Sequence, residues 1–320
     1  HDERADASAY CRARDVKTNI TLNILAGDRE LEDALEDAKF LYEAGADALI
    51  VQDLGLARLI HAHAPDFALH ASTQMTIHTL DAAKQARDIG FSRVVLSREC
   101  SREEIKLITE QAGVETEVFV HGALCMCYSG QCYLSAVIGQ RSGNRGLCAQ
   151  PCRLPYSGGY PLSLKDLMLA GHVAELSDWG VSSLKIEGRM KRPEYAAIVT
   201  KVYSDLLREH RRPTAEERDI LRRVFSRDGF TDGYYTGKLG DSMFGTKTDV
   251  PMNEVKKLYD EAAHRFAEGK EAPLVPVSLC FTARKDTGAV LSADGVSVVM
   301  PVEQAQNRPT TPEMIEKSLR

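Results

Sequence analysis

No stretch of this 320-residue chain approaches the ~18 consecutive apolar residues that a transmembrane helix requires, so no membrane partner is expected. Basic excess is missing too. The formal net charge of −6 argues against a generally basic nucleic-acid coat, while leaving room for a local basic patch. Neither His-Glu-x-x-His nor Gly-x-Ser-x-Gly occurs, so the common zinc-peptidase helix and serine-hydrolase elbow are excluded. No apolar signal-like segment is visible, and the cysteines are not spread as staples. Disulfides are therefore not expected, and a cytoplasmic location is. What is there, 43% apolar and 27% charged residues, suits an ordinary soluble protein of one or two domains.

Cysteine is where the chain departs from the ordinary. Five of its eight cysteines fall in one glycine-rich stretch, His121-Gly-Ala-Leu-Cys-Met-Cys-Tyr-Ser-Gly-Gln-Cys132, continued by Gly146-Leu-Cys-Ala-Gln-Pro-Cys152. Taken as Cys125, Cys132, Cys148 and Cys152, with Cys127 to spare, the intervening gaps are six, fifteen and three residues. Thiolates grouped like this in a cytosolic chain bind a metal or a cluster more often than they pair. Three readings compete. Isolated cysteines such as Cys11, Cys100 and Cys280 are small buried hydrophobes. Structural zinc accepts four thiolates but favours knuckles of two to four residues, which only the last pair approaches. An iron–sulfur cluster suits four thiolates with glycine N–H groups nearby, and it is the favoured reading.

Up to about residue 190 the pattern alternates strand and helix. Strands are predicted at Asn19–Leu25, Ala48–Val51, Phe67–His70, Arg93–Leu96 and Glu115–Val120, with helices between them and a capping box at Ser101-Arg-Glu-Glu104. Helix phrases ending Ala-Gly-Ala-Asp, Ile-Gly-Phe and Trp-Gly-Val each feed a strand. This repeated unit favours a TIM-like (β/α) barrel over an open sheet. Only about six strands can be counted, and the chain starts at His1 inside a helical pattern. It reads as a piece of a longer protein, with its first one or two strand–helix units upstream. Residues 1–250 are assigned to the barrel with a helical extension, 251–272 to a linking helix, and 273–320 to the start of an all-β domain.

The segment Glu117-Val-Phe-Val-His-Gly-Ala-Leu-Cys…Ser-Gly-Gln-Cys-Tyr-Leu-Ser135 closely resembles the signature of the collagenase-like U32 peptidase family. The resemblance extends over His70-Ala-Ser-Thr-Gln74, Leu184-Lys-Ile-Glu-Gly-Arg-Met-Lys191 and the Phe225–Tyr234 loop, nearly the whole chain. Cys127 departs from it, since the family has a small residue such as Ala or Ser there. The resemblance implies a barrel-like fold and a 4Fe–4S cluster on Cys125, Cys132, Cys148 and Cys152. It also implies one of two activities. One is proteolysis of collagen-like peptides. The other is oxygen-independent hydroxylation, of an RNA base in tRNA or rRNA (with prephenate as the oxygen donor) or of a small aromatic quinone precursor.

Polar residues at the strand ends share one rim of such a barrel. Among them Glu187, His70 and His121 are the candidate catalytic groups. Ser72, Gln74, Lys185, Arg189 and Lys191 are candidate substrate-binding residues. Lys185, Glu187, Arg189 and Lys191 alternate along a strand and its exit, a row suited to holding an anion; the competing reading is a structural ion-pair set. His70 can equally be a core residue satisfying buried backbone. A peptidase reading can set Cys127 as nucleophile with His121 as base, although a cysteine beside cluster ligands fits a supporting place better. Arg208, Arg211, Arg212, Arg222 and Arg223 form a possible RNA-facing strip.

Overall fold

A computed structural model describes residues 3–188, 191–246, 252–268, 278–284, 288–293 and 296–301, with isolated residues near the end. Two compact units separate: residues 1–12 with 16–271, and residues 13–15 with 272–320.

In the first unit helix α1 (Glu3–Arg12) precedes strand β1 (Asn19–Leu22), helix α2 (Leu31–Glu43) and β2 (Ala48–Val51). Then come α3 (Leu54–His63), β3 (Ala68–Ala71), α4 (Leu80–Ile89), β4 (Arg93–Val95), α5 (Arg102–Gln111) and β5 (Glu115–Gly122). Local chemistry sets these limits. Asp53, Thr79 and Ser101 each accept a backbone N–H at a helix start, and Ser101 forms the full capping box with Glu104. Gly90, at φ +115, ends α4 in the left-handed conformation that glycine takes without strain.

After β5 come α6 (Leu134–Gly139), β6 (Asp166–Met168), α7 (Val173–Asp178), β7 (Ser183–Ile186) and α8 (Pro193–Glu209). Pro193 sits at the first turn of α8, where its missing N–H costs nothing. Helix α9 (Ala215–Val224), β8 (Phe230–Thr231), α10 (Gly233–Thr236) and α11 (Met252–Glu268) complete this unit. Helix α11 packs against α8 and α9.

Strands β1, β2, β3, β4, β5 and β7 are parallel neighbours in that order. A strand order that never reverses is the order of a barrel wall; a doubly wound sheet reverses at a switch point. Among the described residues β1 and β7 each pair on one side only, so the wall is an open arc. The sheet departs from a simple barrel at its far end. Over His121–Gly122, β5 pairs antiparallel with β6, which pairs in parallel with β8. All four residues of β2 are buried, as expected for a strand covered on both faces. In the second unit β9 (Leu279–Arg284), β10 (Gly288–Ala293) and β11 (Val296–Met300) form an antiparallel meander.

Candidate functional site

Side chains alternate along β5, and their partners show which way each set faces. The Thr116 hydroxyl meets that of Thr109 on α5, so even-numbered residues face the helices. Glu117 and Phe119 therefore face the concave side, whereas the irregularity in pairing between Phe119 and His121 turns His121 to the opposite face, against Tyr203 of α8. On the concave side Lys185 on β7 donates to Glu117 at 2.6 Å, Arg93 on β4 approaches the same carboxylate at 3.5 Å, and Arg98 lies 3.9 Å from the Phe119 ring centre. Burial pushes the Glu117 carboxyl up, but Lys185 and Arg93 outweigh it and hold the group below its ordinary value. His70 on β3 belongs to the same group of charges. Burial, reinforced by Arg93 and Lys185 against the pull of Glu117 and Glu115, lowers its pKa to about 4, and its Nδ1 has no partner. A neutral, nearly enclosed imidazole results.

His121 is 1% exposed under Tyr195, Tyr203 and Phe230, with ring centres 5.2–6.2 Å away. Its Nδ1 meets the Tyr203 hydroxyl at 3.2 Å, and that hydroxyl donates to the Val120 carbonyl. Burial lowers its pKa to about 3. These are the surroundings of a core residue. A base serving Cys127 would need an open face, and His121 has none.

The cysteine loop leaves β5 and is bound back to the rim at two places. At the first, Ser129 donates its N–H and its hydroxyl to the Glu99 carboxylate at 3.0 and 2.9 Å, and its carbonyl accepts from Thr76 at 2.7 Å. Gly130 here is at φ +79, and a Cβ would stand 2.2 Å from the Gln74 carbonyl oxygen, so only glycine permits the approach. At the second, the Asn144 side-chain amide donates to Gln52 at 2.5 Å and to Gln74 at 3.0 Å, and its oxygen accepts from the Leu25 N–H at 3.0 Å. Arg145 adds a two-pronged pair with Glu30 at 2.9 and 2.7 Å. Gln74 also donates to the Asn23 carbonyl, and Ser72 accepts from Asn23. Of the predicted substrate-binding residues, Gln74 is therefore engaged in seating the loop, and the Ser72 hydroxyl accepts the Gln74 N–H beneath it.

None of Asn144, Ser129 or Glu99 was singled out from the sequence. The only local signal was a polar Gly-Asn-Arg-Gly turn between two cysteines. Replacing Asn144 by alanine removes three hydrogen bonds, two of them half-buried, so about 2 kcal/mol of loop anchoring should be lost. Limited proteolysis should then cut the 125–152 segment well before the barrel; unchanged resistance there would refute this anchoring.

Within the loop the sulfurs converge. Cys152 is half-buried, and Cys125, Cys148 and Cys132 all lie close enough to act on it electrostatically. Burial pushes its thiol up first, and those three sulfurs add to the rise. Cys127 lies in electrostatic reach of Cys132 and Cys125. Cys125, Cys132 and Cys148 are exposed. Among the described residues no group of three or more His, Cys, Asp or Glu side chains is placed to hold a metal ion. The donor chemistry nevertheless fits a cluster. Four thiolates are the ligand set of an iron–sulfur cluster, whose inorganic core spreads its ligands further apart than a single ion does.

Of the predicted anion row, β7 carries only Lys185, because the strand ends at Ile186. Glu187 pairs with Arg98 at 3.2 Å, beside Gly122, whose missing Cβ leaves room for the Glu187 backbone. Arg189 lies outside the described residues. The Lys191 N–H donates to the Gly188 carbonyl at 2.8 Å, and its ammonium lies 2.7 Å from the centre of the Phe225 ring. Strand alternation stops at Ile186. The arginine strip is also corrected. Arg208 pairs with Asp205, Arg211 with Glu217 and Glu209, and both Arg222 and Arg223 with Asp219. Four of its five arginines thus have carboxylate neighbours, Arg222 and Arg223 sharing Asp219, which weakens the strip as a free basic surface. No helix among the described residues is long and apolar enough to cross a membrane.

Comparison with known proteins bears on this geometry. The chain is 38% identical over 263 residues to the 23S rRNA 5-hydroxycytidine C2501 synthase of Escherichia coli, covering 79% of this chain and 39% of that protein. It is 34% identical to the tRNA hydroxylation protein P1 of Bacillus subtilis, over 64% of this chain and 53% of that protein. It is 33% identical to a collagenase of Porphyromonas gingivalis, over 72% and 62% respectively. The chain thus spans roughly two-fifths to three-fifths of the length of these relatives. The model of peptidase family U32 matches residues 1–244, from α1 through the cysteine loop to the segment after α10, and the chain belongs to that family.

Proposed function

We propose that this protein takes part in hydroxylating a base in RNA, with a 4Fe–4S cluster held by Cys125, Cys132, Cys148 and Cys152. The observation that carries the reading is the loop itself. Thiols from three separate parts of the loop converge, and the segments between them are fastened to the barrel rim through Ser129 and Asn144. Relatives named for RNA hydroxylation support the choice of reaction.

Replacing C–H by C–OH is a two-electron oxidation that also needs an oxygen atom, and we assign prephenate as its donor. A bound cluster would supply redox-active, Lewis-acidic iron at the rim. The residues of the chain then have separate tasks. Arg98 holds the Glu187 carboxylate at the rim, where it can accept a proton from the reacting base. Lys185, Glu117 and Arg93 fix the floor beneath it, and Phe119 lies between Arg98 and Lys185. His70 stays neutral in that floor and adds no charge to the site.

The peptidase reading has the named collagenase relative in its favour. It loses ground because His121, its candidate base, is enclosed and bonded to Tyr203. The experiment is anaerobic purification, then incubation with total RNA from cells lacking the gene, with and without prephenate, and nucleoside mass spectrometry. A base gaining one oxygen atom is the expected product. Cleavage of gelatin in a metal-free preparation, with no change in RNA, would replace this reading by the peptidase one.

A further inference from the structure

Beside the cysteine loop lies a polar cavity of about 260 Å³, lined by Arg153, Tyr160, Ser163, Arg227 and Thr246. Its walls are fixed. The buried Ser163 hydroxyl donates to the Gly245 carbonyl at 2.7 Å and accepts from Arg153 at 3.1 Å, while the Gly245 N–H returns to the Ser163 carbonyl at 2.9 Å. A Cβ on Gly245 would stand 2.8 Å from the Arg227 carbonyl oxygen, so the two segments close tightly around the space.

The two arginines are incompletely used. Arg153 donates from Nη1 to Ser163 and the Leu164 carbonyl, and from Nη2 to the Leu124 carbonyl. Of its five N–H groups this leaves the one on Nε and one on Nη2 without a protein acceptor among the described residues, the donors for a bidentate carboxylate. Arg227 spends one side-chain donor, Nη1, on Asp166, whose other oxygen takes the Arg227 backbone N–H at 2.9 Å. Its side chain is only 12% exposed, so its remaining donors have little bulk water to serve them. Charge points the same way. Arg227, Lys191 and Arg153 are all in electrostatic reach of Asp166, and Arg227 repels Arg153.

We propose that this cavity binds the carboxylate of a small organic acid between Arg153 and Arg227. The volume sits just below the range of pockets for drug-sized ligands, so a metabolite-sized molecule fits and a nucleotide chain does not. Arg153 follows Cys152 directly and lies in electrostatic reach of the sulfurs of Cys152 and Cys125, so the acid would be held next to the cysteine site. That the acid is a co-reactant there rests on the hydroxylase reading; that it binds does not.

The test is calorimetric titration of the anaerobically purified, metal-containing protein with succinate and, separately, inorganic phosphate, alongside iron content and melting temperature. Saturable succinate binding is expected, weakened at least tenfold by Arg153→Lys, which keeps the charge but removes the fork. Tyr160→Trp, at a half-exposed wall position, should weaken it similarly by filling the space, with iron unchanged in both and melting temperature unchanged in Tyr160→Trp. Absence of succinate binding in the wild type overturns the proposal, as does phosphate binding tighter than succinate. Arg153→Lys losing iron while succinate affinity stays the same would also overturn it, by showing that Arg153 serves the sulfurs alone. Succinate binding without any RNA hydroxylation would remove the co-reactant role and leave the binding site standing.

Discussion

Alanine at any one of Cys125, Cys132, Cys148 or Cys152 should abolish iron and sulfide retention, whereas Cys127→Ala should keep most of it. The wild-type protein, purified without oxygen, should carry about four irons per chain, the count a Cys₄-held 4Fe–4S cluster requires. The effect is expected to be nearly complete because a three-thiolate site leaves one iron to solvent on an exposed loop. Geometry ranks the candidates only partly. Cys152 senses Cys125, Cys148 and Cys132, and Cys127 is absent from its principal neighbours. Cys127 is itself in electrostatic reach of Cys132 and Cys125, so the choice of Cys125 over it rests on the family signature. Iron and sulfide analysis with the visible absorption of each variant decides the matter. Full iron in Cys125→Ala together with none in Cys127→Ala would exchange the two assignments. Zinc in place of iron in the wild type would leave the loop a structural site.

How much of this could be read from the chain follows the range of the interactions concerned. The Ser101–Glu104 capping box is local, and it was legible and is present. The repeated helix-to-strand phrases announced a sheet wound in one direction, because each strand–helix unit places the next strand beside the last. By contrast β6 is three residues long in a glycine-rich stretch, and its antiparallel pairing with β5 spans more than forty residues. Nothing periodic marks it. The Arg93–Glu117–Lys185 group on the concave face depends on three strands meeting, so the sequence shows three ordinary charges. Lys191 lies past the end of β7 at Ile186, where strand alternation no longer says which way a side chain faces. The arginine strip was readable in principle, since Asp205 and Asp219 lie three or four residues before arginines on the same helices.

Stability should fall steeply as pH drops from 6.5 to 4.5, and two enclosed histidines should account for most of the slope. His70 and His121 have pKa values lowered to about 4 and about 3, from an ordinary 6.5. Below pH 6.5 the unfolded chain takes up a proton at each ring while the folded chain does not, so acid favours unfolding. The stability conferred by neutral burial is fully present above pH 6.5 and is lost as pH falls toward the folded values. Each ring costs about 1.4 kcal/mol per pH unit within that window, so the pair removes roughly 5 kcal/mol over two units. That loss is comparable to the whole stability of many domains. Little solvent screening applies, because His70 is 4% and His121 1% exposed. Around His70 the charges are Arg93, Lys185, Glu117 and Glu115, whereas burial alone acts on His121. The lowered Glu117 carboxyl adds a further loss only when pH falls below the ordinary carboxylate range toward its folded value. Urea unfolding at pH 6.5, 5.5 and 4.5 measures the slope, and His70→Gln and His121→Gln should each remove about half of it. A flat profile in the wild type, or an unchanged slope in both variants, would show that neither ring is buried in its neutral form.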